Sequence, residues 1–336
     1  MLPEVMASLD PYQPSESSPW NLRRVHHLHQ RAGFAANWGE LQRDLADGPA
    51  ASVDRLLHGS DRGNEFESLQ KLIGDAAVAS DDINRLKAWW FYRMLFSADP
   101  LRERLTLMWH NHFATSNVKV ENVQMMKHQN DQIRTHALGN FGDLLRGAVK
   151  NSAMMVWLDG NANRKGKPNE NLARELMELF TLGEGNYDET DVKEVARALT
   201  GWAVREGEFS IVDAYHDSGK KLVLGQSGEF DGDDVLQILI EHPATARRVA
   251  DRLVELFFGE RAAKDVLVES LAEGLREHDL DIGWAVETIL RSSAFFADDN
   301  IGDRVREPVA FMMGTLRSLE LTAPPPSTLL LAEWSA

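Results

Sequence analysis

From Trp20 to about residue 320, apolar residues recur at intervals of three and four, with one interruption. That is the helix period, so each segment that keeps it carries one apolar stripe to be buried against a neighbour. The spacing predicts helices over about 20–31, 37–46, 50–58, 64–78, 82–97, 100–114, 120–137, 140–150, 169–182, 189–201, 231–241, 244–258, 263–277, 281–291 and 307–320. The interruption is at 208–225, where Phe209-Ser210-Ile211-Val212 and Lys221-Leu222-Val223-Leu224 flank a turn-rich stretch and predict a small β-hairpin. The expected fold is therefore mainly α: a multi-helix globular body, 20–322, with that single hairpin. Residues 1–19, holding four prolines and four serines, read as an extended or disordered lead-in. Pro324-Pro325-Pro326 break the pattern again before a short tail, 323–336. No fixed-period repeat occurs, and no linker divides the helical body.

Composition narrows the function. Thirty-six basic against 52 acidic residues leave a net charge of −16, a surface that repels nucleic acid and anionic lipid. No run of 18 apolar residues offers a membrane span. The N-terminus lacks the basic and apolar regions of a signal peptide, so the default expectation is the cytoplasm. With no cysteine, disulfides, thiolate catalysis and cysteine metal sites are excluded. Any metal would be held by His, Asp, Glu, Asn or carbonyl oxygen.

Polar chemistry is densest between Asp159 and Gly183. A loop of acids and amides runs into an amphipathic helix, with Asn169 as N-cap, Glu170 and Glu175 toward its positive end, and Gly183 as the stop. On a regular helix Leu172, Leu176, Leu179 and Phe180 share the apolar face, and Asn171, Glu175 and Glu178 line up beside it. Glu175 thus borders the buried face, where a carboxylate is costly unless paired, ligated or protonated. It is expected to be buried, with Arg174, His112 or a cation as partner. In the loop, Asp159, Asn161, Asn163 and Glu170 fall at positions 1, 3, 5 and 12 of an EF-hand-like spacing that could hold calcium or magnesium. Arg164 stands where the EF-hand needs glycine, so an Asx-rich capping turn is the competing reading.

Other constellations are weaker. On the helix containing Trp109-His110-Asn111-His112-Phe113, His112 points inward and His110 points away. His112 is a candidate acid/base or ligand; its plainer reading is a buried histidine satisfied by a backbone carbonyl. His216-Asp217 could serve acid–base work, although a turn explains it more simply. Asp231-Gly232-Asp233-Asp234 reads as a helix N-cap. No nucleophile-elbow, phosphate-loop, dinucleotide or zinc-protease signature is present.

Several strings taken together carry a resemblance: Leu101-Arg102-Glu103-Arg104-Leu105, Trp109 to Thr115, Asn163-Arg164-Lys165-Gly166, Pro168 to Asn171, Ala173 to Gly183, Ala198 to Trp202, and His216-Asp217. With them the chain resembles the bacterial family called domain of unknown function 1800, over roughly residues 20–320. The resemblance implies a mostly helical fold and brings no established activity, substrate or catalytic residue. Genes of that family often neighbour those of an exported, sulfatase-like family, which implies extracellular polymer or cell-surface metabolism and such a product as partner. The resemblance implies a further C-terminal part, since family members usually continue past the point where this sequence ends at Ala336, either as a short natural variant or with part of the site missing. The expectation is one polar cleft performing metal-assisted or carboxylate-based hydrolysis. Glu175 or Glu178 would be base or ligand, His112 acid/base, His216 and Asp217 auxiliary, and Asn171, Arg174, Trp202 and His110 substrate contacts. The alternative is a non-catalytic structural or assembly factor with a buried polar network.

Overall fold

A computed structural model of the chain describes residues 8–59, 63–259 and 264–320. Among them helices account for 64% and strands for 7%, so the mainly α expectation holds. In chain order the helices are α1 (Leu22–Ala32), α2 (Trp38–His58), α3 (Gly63–Ala79), α4 (Ile83–Phe96), α5 (Pro100–His112), α6 (Asn117–Val120), α7 (Val123–His136), α8 (Phe141–Val149), α9 (Ser152–Trp157), α10 (Asn171–Glu175), α11 (Glu189–Ala198), α12 (Gly232–Glu241), α13 (Pro243–Phe258), α14 (Lys264–Glu277), α15 (Ile282–Arg291) and α16 (Pro308–Ser318). None is long and apolar enough to cross a membrane.

Most helices start at a residue whose side chain accepts a backbone N–H of the first turn. Asn21, Asn37, Asp82, Asn122, Asn140, Asp188 and Asp231 all do so, which removes donors the helix itself leaves orphaned. The N-cap reading of Asp231 is among them. The break expected near residue 48 is real: Gly48 sits at φ +86° ahead of Pro49 and kinks α2.

Two compact units emerge, and neither is continuous in sequence. One uses the chain up to residue 108, then 251–271 and the chain from 282 onward; the other uses 109–250 and 272–281. A division of this kind leaves no linker, which is why none was legible. In the first unit α1 packs on α2, α2 on α15, α3 on α4 and α4 on α16, around a core holding Phe34, Phe91, Met94, Leu107 and Met313. Of the expected lead-in, residues 1–7 lie outside the described residues, and 8–19 run along the segment that follows α15. Ser8, Asp10 and Tyr12 make backbone bonds with Ala294, Ser293 and Arg291, and Tyr12 packs its ring on Phe296. The expected tail at 323–336 lies outside the described residues.

In the second unit α8 packs on α7 and α12, and α11 on α10 and α12. Its centre is aromatic, with Phe113 and Phe141 ring to ring and both close to Trp109. The hairpin reading needs correction. Strands β1 (Trp202–Arg205) and β2 (Glu208–Ile211) pair with each other, as do β3 (Lys221–Val223) and β4 (Gln226–Gly228), giving two antiparallel hairpins. The two segments expected to pair are instead halves of different hairpins. Tight turns explain it: Glu206 and Gly207 take left-handed conformations between β1 and β2, Leu224 and Gly225 between β3 and β4.

Candidate functional site

All the candidate site residues named from sequence fall in the second unit. Its loop begins at Asp159, in the left-handed region at φ +57°, and makes one tight turn over Gly160–Ala162. The four oxygen-bearing side chains then go separate ways. Asp159 pairs with Lys119 at 2.8 Å, Asn161 accepts the N–H of Val204 at 2.6 Å, and Glu170 pairs with Arg174. Asn163 is buried and accepts the Asn169 N–H while donating to the Ala196 carbonyl. These bonds fix the loop to α6, α11, β1 and α10. Among the described residues no three His, Asp or Glu side chains are grouped to hold a metal ion.

The helix that follows is not a regular α-helix. Asn169 accepts the N–H of Asn171, and α10 runs to Glu175, but Leu176–Thr181 is a π-turn. The wider turn moves the apolar stripe: Leu172, Leu176, Met177 and Phe180 are buried, whereas Leu179, expected inside, is 43% exposed. A π-turn leaves carbonyls without their usual partners, and side chains near and far in sequence meet the carbonyls of this segment and its end. His112 donates from Nε2 to the Phe180 carbonyl at 3.1 Å, Arg248 to that of Leu179 at 3.2 Å, and Asn186 to that of Leu182 at 2.9 Å. Thr181 Oγ1 donates to the Leu176 carbonyl, and Gly183, at φ +77°, ends the segment by donating to Met177. His112 is thus a buried histidine on a carbonyl, packed against Trp109, Phe113 and Phe180.

Glu175 stands at the α-to-π junction, half-buried rather than fully so. The expected pairing with Arg174 is absent. Arg174 instead forms a fork-to-fork pair with Glu189, both contacts at 2.8 Å, and a longer one with Glu170. Among the described residues Glu175 has no hydrogen-bond or ion-pair partner. Burial, and then the neighbouring Glu178, raise its pKa above the ordinary carboxylate range. Glu178 accepts the hydroxyl of Tyr187 at 3.0 Å; burial and this bond push the Tyr187 phenol up to about 12, so it remains a donor. Tyr187 was not anticipated. It sits nine residues downstream beyond two glycines, where no helical period connects it to Glu178.

The remaining candidates stand apart from this pair. His216 bonds through Nδ1 to the Thr200 carbonyl, not to Asp217. Asp217 bonds to Arg197 at 2.9 Å and to the N–H of Gly219, which lower its carboxyl to about 2. Lys221, buried to 2% exposure, donates to the carbonyls of Asp217 and Gly219. Together they bind the turn before β3 to α11. Trp202 is buried between Phe209 and the Lys150 ammonium, with Gly232 of α12 against its indole, and is a core residue. His110 is half-buried, and burial drops its pKa to about 4.

The profile of a family described as "Protein of unknown function (DUF1800)" matches residues 27–334, nearly the whole chain. The chain belongs to this family. The DUF1800 match spans both units and every candidate residue above. No curated protein and no solved structure matches the chain. DUF1800 therefore supplies membership, and the chemistry rests on the residues of the site.

Proposed function

We propose that this DUF1800 protein is a carboxylate-based hydrolase of an extracellular or cell-surface polymer, with Glu175 as general acid and Glu178 as general base. The observation that carries the reading is Glu175: a half-buried carboxyl with no partner and a raised pKa, beside a second carboxyl oriented by Tyr187. Two nearby carboxyls in unlike environments are the arrangement that separates an acid from a base. In hydrolysis Glu178 accepts the proton of the attacking water while Glu175 delivers its own to the leaving group. The carboxylate route is favoured over the metal-assisted one because Asp159, Asn161, Asn163 and Glu170 bond to other parts of the fold. The polymer follows from the family's gene neighbourhood alone.

The test is hydrolysis of a panel of polysaccharides and polyesters by the full chain and by Glu175→Gln and Glu178→Gln. The reading expects each variant to lose about 100-fold or more in kcat with a melting temperature no lower than that of the native chain. Inactivity of the native chain on the whole panel, or full activity of both variants, overturns it. The second reading, a non-catalytic assembly factor, is favoured by one observation: His112, Arg248, Asn186 and Asn163 are all spent on backbone carbonyls.

A further inference from the structure

The first unit contains a small cavity whose chemistry is opposite to that of the molecule as a whole. Arg31, Arg104, Arg304 and Arg306 line it, with Gln30, and Glu307 is the one acid among its described lining residues. Arg104, Arg304 and Arg306 against Glu307 make a local excess of positive charge among these lining residues, in a chain whose net charge is −16. Arginine does not shed its proton at any ordinary pH, so the excess is permanent. His27, also on the wall, adds no charge: burial, then Arg31, press its imidazole down to about 3.

Arg31 donates to the Asn300 carbonyl and Arg304 to those of Glu255 and Leu256, and Glu307 serves two of the four guanidiniums. It takes both terminal nitrogens of Arg104, at 2.9 and 3.3 Å, and one of Arg304, at 2.7 Å. Although burial raises Glu307, Arg104 and Arg304 outweigh it and hold the carboxyl below its ordinary range. Arg104 is 5% exposed, yet its Nε is buried without a hydrogen-bond partner. Arg306 is exposed and has no hydrogen bond or ion pair among the described residues. The open N-terminus of α16, which begins at Pro308 beside Glu307, adds its partial positive charge to the same wall. The cavity encloses about 50 Å³, room for a few waters and hence for one tetrahedral oxyanion.

We propose that this cavity binds a small oxyanion, phosphate or sulfate in character, either free or as the charged end of a larger ligand. Guanidiniums match such oxygens in pairs, and an anion here would offset the mutual repulsion of the buried Arg104, the half-buried Arg304 and the exposed Arg306. The site is independent of Glu175 and Glu178, which belong to the second unit.

The test is calorimetric titration of the full chain with inorganic phosphate, inorganic sulfate and phenyl phosphate, at ionic strength matched with chloride. Arg306→Glu, on an exposed residue, removes one cation without emptying a buried position. Arg205→Glu in the second unit, also exposed, controls for general charge effects. Saturable binding that weakens at least tenfold in Arg306→Glu and is retained in Arg205→Glu supports the site. Phenyl phosphate binding more tightly than inorganic phosphate then identifies the charged end of a larger ligand, and the reverse order a free ion. No binding of any of the three, or equal weakening in both variants, overturns the proposal.

Discussion

A carboxyl held half out of water with no cation at hydrogen-bond distance opposes folding when it ionises. Glu175 is in that position, with its pKa raised by burial and by Glu178. The folded state binds its proton more tightly than the unfolded chain, so stability is fullest at low pH and declines as pH rises through the folded pKa. Glu175→Gln should therefore stabilise the protein at pH 7, by about 0.5–1 kcal/mol. Urea titrations at pH 7 and pH 4 check this: the gain should be present at the first and shrink at the second. A loss of stability at pH 7 would mean that the carboxylate is paired in solution. Asp217 has the opposite sign. Its carboxyl lies near 2 against an ordinary 3.8, so its contribution is complete above about 4 and is lost as pH falls toward 2. Asp217→Asn should cost about 1–3 kcal/mol at neutral pH, and the gap to the native chain should close below pH 4. Adjacent in sequence, His216 and Asp217 suggested a pair, but their side chains face Thr200 and Arg197.

The π-turn Leu176–Thr181 sets the geometry of the site at the scale of elements. It follows α10 directly, so Glu175 is the last residue of regular helix and Glu178 lies on the widened turn. Counting at three and four placed Leu172, Leu176 and Phe180 correctly in the core and misplaced Leu179 by following a turn of regular width. Junctions elsewhere depend on close approach. α12 starts at Gly232, and a Cβ added there would overlap the Trp202 indole, which is held by Phe209 and Lys150. Gly232→Ala should cost about 1–3 kcal/mol by displacing that indole. Denaturant melts should show a lower midpoint and tryptophan fluorescence a shift. A midpoint equal to the native one would mean that Trp202 moves aside freely.

At the scale of the whole molecule, a net charge of −16 sets a repulsion that salt screens. Raising sodium chloride from 10 to 150 mM should raise the melting temperature by a few degrees, as measured by differential scanning calorimetry. A fall would mean that attractive ion pairs dominate. The sequence by itself determined the helical class, the positions of most helices and the N-cap at Asp231, because an apolar stripe and its capping side chain lie within a few residues of the backbone they serve. It also made Gly183 visible as the stop and Glu175 as a carboxylate bordering the apolar face, since each is a local feature of one helix. Tertiary structure alone decided the rest. His112 and Arg248 reach the carbonyls of Phe180 and Leu179 across 68 and 69 residues, and Arg174 chooses Glu189 over Glu175. Such choices are differences between donors and acceptors far apart in the chain, and no local period encodes them.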